Sequence, residues 1–121
     1  MKILVVDDEP LIRLGLVSMV EEAGFAVVEA ANADEAIRIV EKNPDITIII
    51  TDVDMPGSMD GVRLAHFVRE RWPPIRLIVV SGKVGVQQHA LPEGARFFAK
   101  PYEEAPLLSA LRELSGLDKP S

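Results

Sequence analysis

Short apolar runs rich in Val and Ile recur along this chain, each followed by a stretch whose apolar residues return at helical spacing. That alternation narrows the possible folds most. A β-branched run buried on both faces belongs to a parallel strand, and the helical stretch after it is the crossover to the next. Strands are expected at residues 3–6, 25–30, 46–51, 76–80 and 96–99. A first helix carries Ile12, Leu16, Met19, Val20 and Ala23, with Pro10 in its first turn and Gly24 as its stop. Asn32 with Glu35 three residues on has the form of a capping box, opening a second helix that Pro44 ends. A third helix starts near Asp60, turns Leu64, Ala65 and Val68 inward and stops at Pro73 and Pro74. Leu107, Leu108, Leu111 and Leu114 stripe a last helix, in which Pro106 sits early enough to be tolerated. Strands alternating with helices in this way imply right-handed crossovers and helices on both faces of one sheet, a doubly wound α/β fold.

A chain of 121 residues can build one domain with a real core but not two. Residues 1–116 are expected to form it, and 117–121 a tail or the start of a linker. With 48% apolar and 26% charged residues the composition is that of a folded protein, not of a disordered tail. No apolar run approaches the length of a membrane span, and the N-terminus reaches Asp7 too soon for a secretory signal. The absence of cysteine excludes disulfides and thiolate metal sites and agrees with a reducing compartment. A cytoplasmic protein without membrane contact is expected. Thirteen basic against nineteen acidic residues give a net charge of −6 and no basic stripe, so direct nucleic-acid binding is not expected.

Doubly wound sheets bind ligands at the carboxyl ends of their strands, near the switch in strand order. Asp7 and Asp8, Asp52, Ser81 and Lys100 stand at those ends. Taken singly each has a bland reading: a strand-end aspartate is usually a cap or turn former, a serine a turn residue, a lysine a solvated charge. Their conjunction is what argues for a site. Like charges about 4 Å apart repel by roughly 4 kcal/mol at an effective dielectric near 20. Three carboxylates with one lysine therefore call for a further cation, and hard oxygen donors without His or Cys favour Mg²⁺. Asp60 reads as a helix N-cap, Gly61 as a packing residue, and His66 and His89 as surface histidines. Trp72, beside Pro73 and Pro74, reads as packing a loop at the far end of the third helix, a poor reporter on the site.

The acidic pair after the first strand, the aspartate of TDVDMPGSMDG, the hydroxyl of VVSG and the lysine of AKP resemble the pattern of response-regulator receiver domains, over almost the whole chain. The resemblance implies a flavodoxin-like sheet in the order 2-1-3-4-5 with Asp52 as phosphoacceptor. It implies that Asp8 and Asp52 ligate Mg²⁺ directly, that Asp7 acts through water, and that the Asp54 main-chain carbonyl completes the protein ligands. The Ser81 hydroxyl and the main-chain N–H groups of Val53 and Gly82 would hold phosphoryl oxygens together with Lys100. A cis peptide is implied before Pro101, and Phe97 is the aromatic that turns inward as Ser81 moves. A histidine kinase or histidine phosphotransfer protein would be the donor, and a downstream protein or an output domain the recipient of the signal. Such a domain is a signalling phosphoacceptor that assists its own phosphorylation and dephosphorylation, not an enzyme acting on a separate substrate.

Two features depart from the commonest receiver pattern. GSMDG carries one residue more between Met55-Pro56 and Asp60-Gly61, and the span from Ser81 to Lys100 is short and contains Pro92. The helix between the fourth and fifth strands is therefore expected to be truncated or irregular, and the usual dimer face incomplete. Lys83 and Asp54 lie where receivers tune dephosphorylation. Two rivals share parts of the pattern. Asp52-Val53-Asp54 resembles the paired aspartates of haloacid-dehalogenase phosphatases, but that family places them on its first strand and needs a larger chain. A flavodoxin-like cofactor binder would need a phosphate loop where Asp7, Asp8 and Glu9 repel phosphate.

Overall fold

The computed structural model describes residues 1–55, 57, 59–82 and 90–116. Its sheet has five parallel strands: β1 (Lys2–Val6), β2 (Ala26–Ala30), β3 (Ile46–Asp52), β4 (Arg76–Ser81) and β5 (Arg96–Ala99). The order is β2-β1-β3-β4-β5, as expected. Four helices are described: α1 (Pro10–Glu22), α2 (Ala33–Lys42), α3 (Gly61–Arg71) and α4 (Glu104–Ser115). None of them is long and apolar enough to cross a membrane.

Side-chain alternation along the strands divides the core in two. Leu4, Val6, Ile49, Leu77 and Val79 face Ala36 and Val40 of α2 and Leu64, Ala65 and Val68 of α3. Ile3, Val5, Ile48, Ile50, Ile78 and Val80 face Leu16 and Val20 of α1 and Leu107 and Leu111 of α4. Because both faces are covered, the inner strands carry almost no polar residue before their carboxyl ends, which is why they read as unbroken apolar runs.

The helix boundaries follow the local chemistry. Pro10 fills the first turn of α1, where its missing N–H costs nothing. Asn32 caps α2 by accepting from the Glu35 N–H at 2.8 Å, and Asp60 caps α3 by accepting from the Arg63 N–H at 2.9 Å. Either cap replaced by Ala costs about 1 kcal/mol. At the opposite pole of the sheet from the acidic residues, Trp72 stacks obliquely on Phe67 with ring centroids 6.1 Å apart, beneath the Arg71 guanidinium. His66 is exposed, as expected, but its Nε2 lies 2.8 Å from the Ala90 carbonyl oxygen and ties α3 to the segment before β5.

Several expectations fall outside the described residues. They are the surface reading of His89, the place of Lys83, most of the shortened helix between β4 and β5, and the tail 117–121. Positions 56 and 58 of the lengthened loop lie outside as well. In residues 90–95 the chain turns on a bond from the Ala95 N–H to the Pro92 carbonyl, and Leu91 is buried.

Candidate functional site

Strand register brings the chemistry together. Val6 pairs with Thr51, Asp52 with Val80, and Ser81 with Ala99. Asp7, Asp52, Ser81 and Lys100 are each the last residue of a strand or the first beyond it, so all four lie along one edge of the sheet. Three main-chain bonds extend the ladders at that edge: Asp7 N–H to Ala30 (3.1 Å), Val53 N–H to Val80 (3.0 Å) and Lys100 N–H to Ser81 (2.8 Å). The Lys100–Pro101 peptide is cis, as expected.

The side chains then converge. One carboxylate oxygen from each of Asp7, Asp8 and Asp52 lies within 4.8 Å of the others. Lys100 Nζ stands 3.2 Å from Asp52 Oδ1 and 3.9 Å from Asp7 Oδ2. Asp7, Asp52 and Ser81 are buried, Asp8 is half-buried and Gly82 is exposed at the rim. The Asp7 Oδ1 atom accepts from the Glu9 N–H at 2.9 Å, while its buried Oδ2 has no hydrogen-bond partner. A buried carboxylate oxygen facing two other carboxylates is an orphan that a cation would satisfy, and the donors are all hard oxygens, so the residues present fit a divalent ion of the Mg²⁺ type.

One expectation needs correction, and one rival reading loses a residue it requires. The Val53 N–H already donates to Val80 as the last rung between β3 and β4, so it is not an open donor for a phosphoryl oxygen. Asp54 is exposed and its carboxylate is outside the acidic group, which removes the second aspartate that the phosphatase reading requires. Phe97 pairs with Val79, two residues before Ser81, and is half-buried against the α2 and α3 side of the core.

Other contributors were not legible as site residues in the sequence. Thr51, fully buried under the site, donates its hydroxyl to the Asp52 carbonyl at 2.9 Å. Gly61, first residue of α3, sends its N–H to the Val53 carbonyl at 2.9 Å. A Cβ there would overlap the Asp52 carbonyl oxygen and lie 2.8 Å from its carbon. Arg13 of α1 donates to the Asp7 carbonyl at 2.8 Å. Burial pushes the Tyr102 hydroxyl's pKa up, and the charges of Asp7, Glu104 and Asp52 push it the same way.

Burial also holds the Asp7 carboxyl above the ordinary value of 3.8; the Glu9 N–H opposes this, Asp52 adds to it, Lys100 opposes it and Asp8 adds a little. Between the two values the folded state binds more protons than the unfolded one, so stability falls as pH rises. The Asp7 contribution is fully present below 3.8 and lost as pH passes through the raised folded value. Asp7→Asn keeps the acceptor for Glu9 and removes the charge. Thermal melts in metal-free buffer should show the variant gaining on the parent as pH rises from acid to neutral. A difference that stays constant with pH would contradict this account.

The response regulator receiver domain family matches the sequence over residues 3–112. The transcriptional activator protein ExaE of Pseudomonas putida is 35% identical over 94% of the chain. A response regulator receiver protein of Sinorhizobium medicae superposes with a TM-score of 0.88 at 25% identity, covering 98% of this chain and 97% of its own. The response regulator TrrA of Thermotoga maritima, solved in complex with Mg²⁺ and BeF, superposes with a TM-score of 0.81 at 26% identity, covering 93% and 97%. The chain spans 12% and 55% of the lengths of the first two curated relatives.

Proposed function

This chain belongs to the response regulator receiver domain family, and from that premise we propose that Asp52 accepts a phosphoryl group and so switches a signalling surface. The observation that carries the proposal is the placement of Asp52: a buried carboxylate at the end of the central strand, 3.2 Å from Lys100 and among two further carboxylates.

Asp8 and Asp52 would bind Mg²⁺ directly, Asp7 through water and Asp54 by its main-chain carbonyl. Bound there, the ion would supply neutralising charge to an approaching phosphoryl group. The structure in which TrrA holds Mg²⁺ and BeF supports this reading. Asp52 is a weak nucleophile, so the protein's work is positioning and charge compensation. An Asp52 Oδ–P bond forms as the donor's bond to phosphorus breaks; for a phosphohistidine this is the P–N bond, and the imidazole leaves with a proton. Lys100 Nζ pairs with one phosphoryl oxygen, the Ser81 hydroxyl donates to another, and the Gly82 N–H lies at the rim for a third contact. In dephosphorylation water attacks phosphorus, phosphate departs and the Asp52 carboxylate is restored.

The donor is a histidine kinase or histidine phosphotransfer protein in the cytoplasm. Leu11 and Leu14, 83% and 58% exposed in the opening turns of α1, give it an apolar foothold beside the acidic residues. The added charge draws Ser81 and Lys100 inward, and Phe97 follows Ser81, changing the face that β4, β5 and α4 offer to a downstream protein or output domain. Intact mass after incubation with acetyl phosphate and Mg²⁺ tests the proposal. The chain should gain the mass of one phosphate, and none when a chelator replaces Mg²⁺. A folded chain that gains nothing under both conditions would refute it.

A further inference from the structure

We propose that Arg13 is a positioning residue for cation binding, holding the peptide between Asp7 and Asp8 so that the Asp8 carboxylate is aimed at the metal; this rests on the reading of the acidic group as a divalent-cation site. The Arg13 side chain, 19% exposed, spans two anchors. Its Nη1 donates to the Asp7 carbonyl at 2.8 Å, and its Nε donates to Glu29 Oε1 at 2.8 Å. Glu29 lies on β2, paired with Val5 of β1, so it holds the guanidinium fork from a fixed point in the sheet.

The Asp7 carbonyl is one half of the peptide that joins Asp7 to Asp8. Asp7 itself is held from its other side, its N–H by Ala30 and its Oδ1 by the Glu9 N–H. Among the described residues no hydrogen bond or ion pair holds the Asp8 side chain. Its direction therefore follows the orientation of the backbone before it. Rotation of the Asp7–Asp8 peptide swings Asp8 away from Asp7 and Asp52, and the bond from Arg13 is what opposes that rotation. The planar guanidinium can serve Glu29 and the carbonyl together, whereas a lysine ammonium lacks that fixed fork.

The sign of the effect separates positioning from simple electrostatics. Arg13 is a cation near a cation site, so by charge alone its removal should tighten metal binding. A partner that orients a ligand should weaken it when removed, and such partners are worth about tenfold or more in metal affinity.

The test is the dissociation constant of Mn²⁺, a paramagnetic ion that accepts the same oxygen donors, read by electron paramagnetic resonance well below the melting temperature. Arg13→Ala and Arg13→Lys should each bind about tenfold more weakly than the parent. In an Asp8→Asn background, Arg13→Ala should add little, because the carboxylate it aims is gone. Circular dichroism establishes that each variant is folded; should Arg13→Ala unfold, the charge-preserving Arg13→Lys decides. Unchanged or tighter binding in the folded variants overturns the role of Arg13 and leaves the site itself standing. A parent chain that binds no Mn²⁺ at millimolar concentration overturns the cation site, and the role of Arg13 with it.

Discussion

Asp52→Asn is expected to gain no phosphate when incubated with acetyl phosphate and Mg²⁺ under conditions in which the parent chain gains one. The substitution keeps the size and one acceptor oxygen but removes the nucleophilic charge. Neither neighbouring carboxylate can replace it. Asp7 is fully buried and its Oδ1 already accepts the Glu9 N–H. Asp8 is half-buried, and among the described residues the ion pairs of Lys100 run to Asp52 and Asp7, not to Asp8. Phosphoryl transfer depends on nucleophile, donor and compensating cation being in line, so a carboxylate displaced from that geometry contributes little. Intact mass and phosphopeptide mapping would check this. A full phosphate load on the variant would move the acceptor away from Asp52.

Gly61→Ala should be the most damaging of the conservative substitutions. The new methyl group would meet main-chain atoms: it would overlap the Asp52 carbonyl oxygen and lie 2.9 Å from Val53 Cα. Main chain at the end of the central strand cannot rotate aside as a side chain can, and overpacking of this kind costs about 3 kcal/mol. In a domain of this size that lowers Tm by roughly 10 °C. Relief would require α3 to withdraw from β3, breaking the bond from the Gly61 N–H to Val53 and shifting Asp52. Phosphate uptake should therefore fall even at temperatures where the variant is folded. Gly15→Ala is the control. Gly15 is exposed in the middle of α1 with nothing within 4 Å of an added Cβ. There the substitution should stabilise by about 0.5–1 kcal/mol, because alanine favours a helix over glycine. Equal melting temperatures for the two variants would show that α3 does not press on the Asp52 backbone as described.

The doubly wound class of fold and the acidic cluster were legible in the sequence for a common reason: both depend on local patterns that the fold rules translate directly, whereas the strand order was implied by the resemblance to receiver domains. The run 46–51 is apolar on both faces, so it had to be an inner strand, and Asp52 at its end had to sit at the carboxyl edge. Asn32 and Asp60 announced their helices by their own side chains, whose partners lie three residues on in each case. The edge strands β2 and β5 were placed to within a residue by their turns, although they are less buried than the inner three.

What the tertiary structure decided involves partners far apart in the chain or groups that sequence does not display. The donor at Val53 reads as open in the sequence, and only the register of β3 against β4 shows that Val80 occupies it. Gly61 looked like general packing, and the superposition of α3 on β3 made it a condition for the Asp52 backbone. Arg13 joins Glu29 and the Asp7 carbonyl across sixteen and six positions, a spacing with no periodic signature. The sequence by itself determined the class of fold, the edge at which chemistry gathers and the identities of its charged groups, because periodicity and strand ends are local properties. Three-dimensional packing alone decided which main-chain groups remain available and which side chains hold the acidic residues in place, because those contacts form only when distant segments meet.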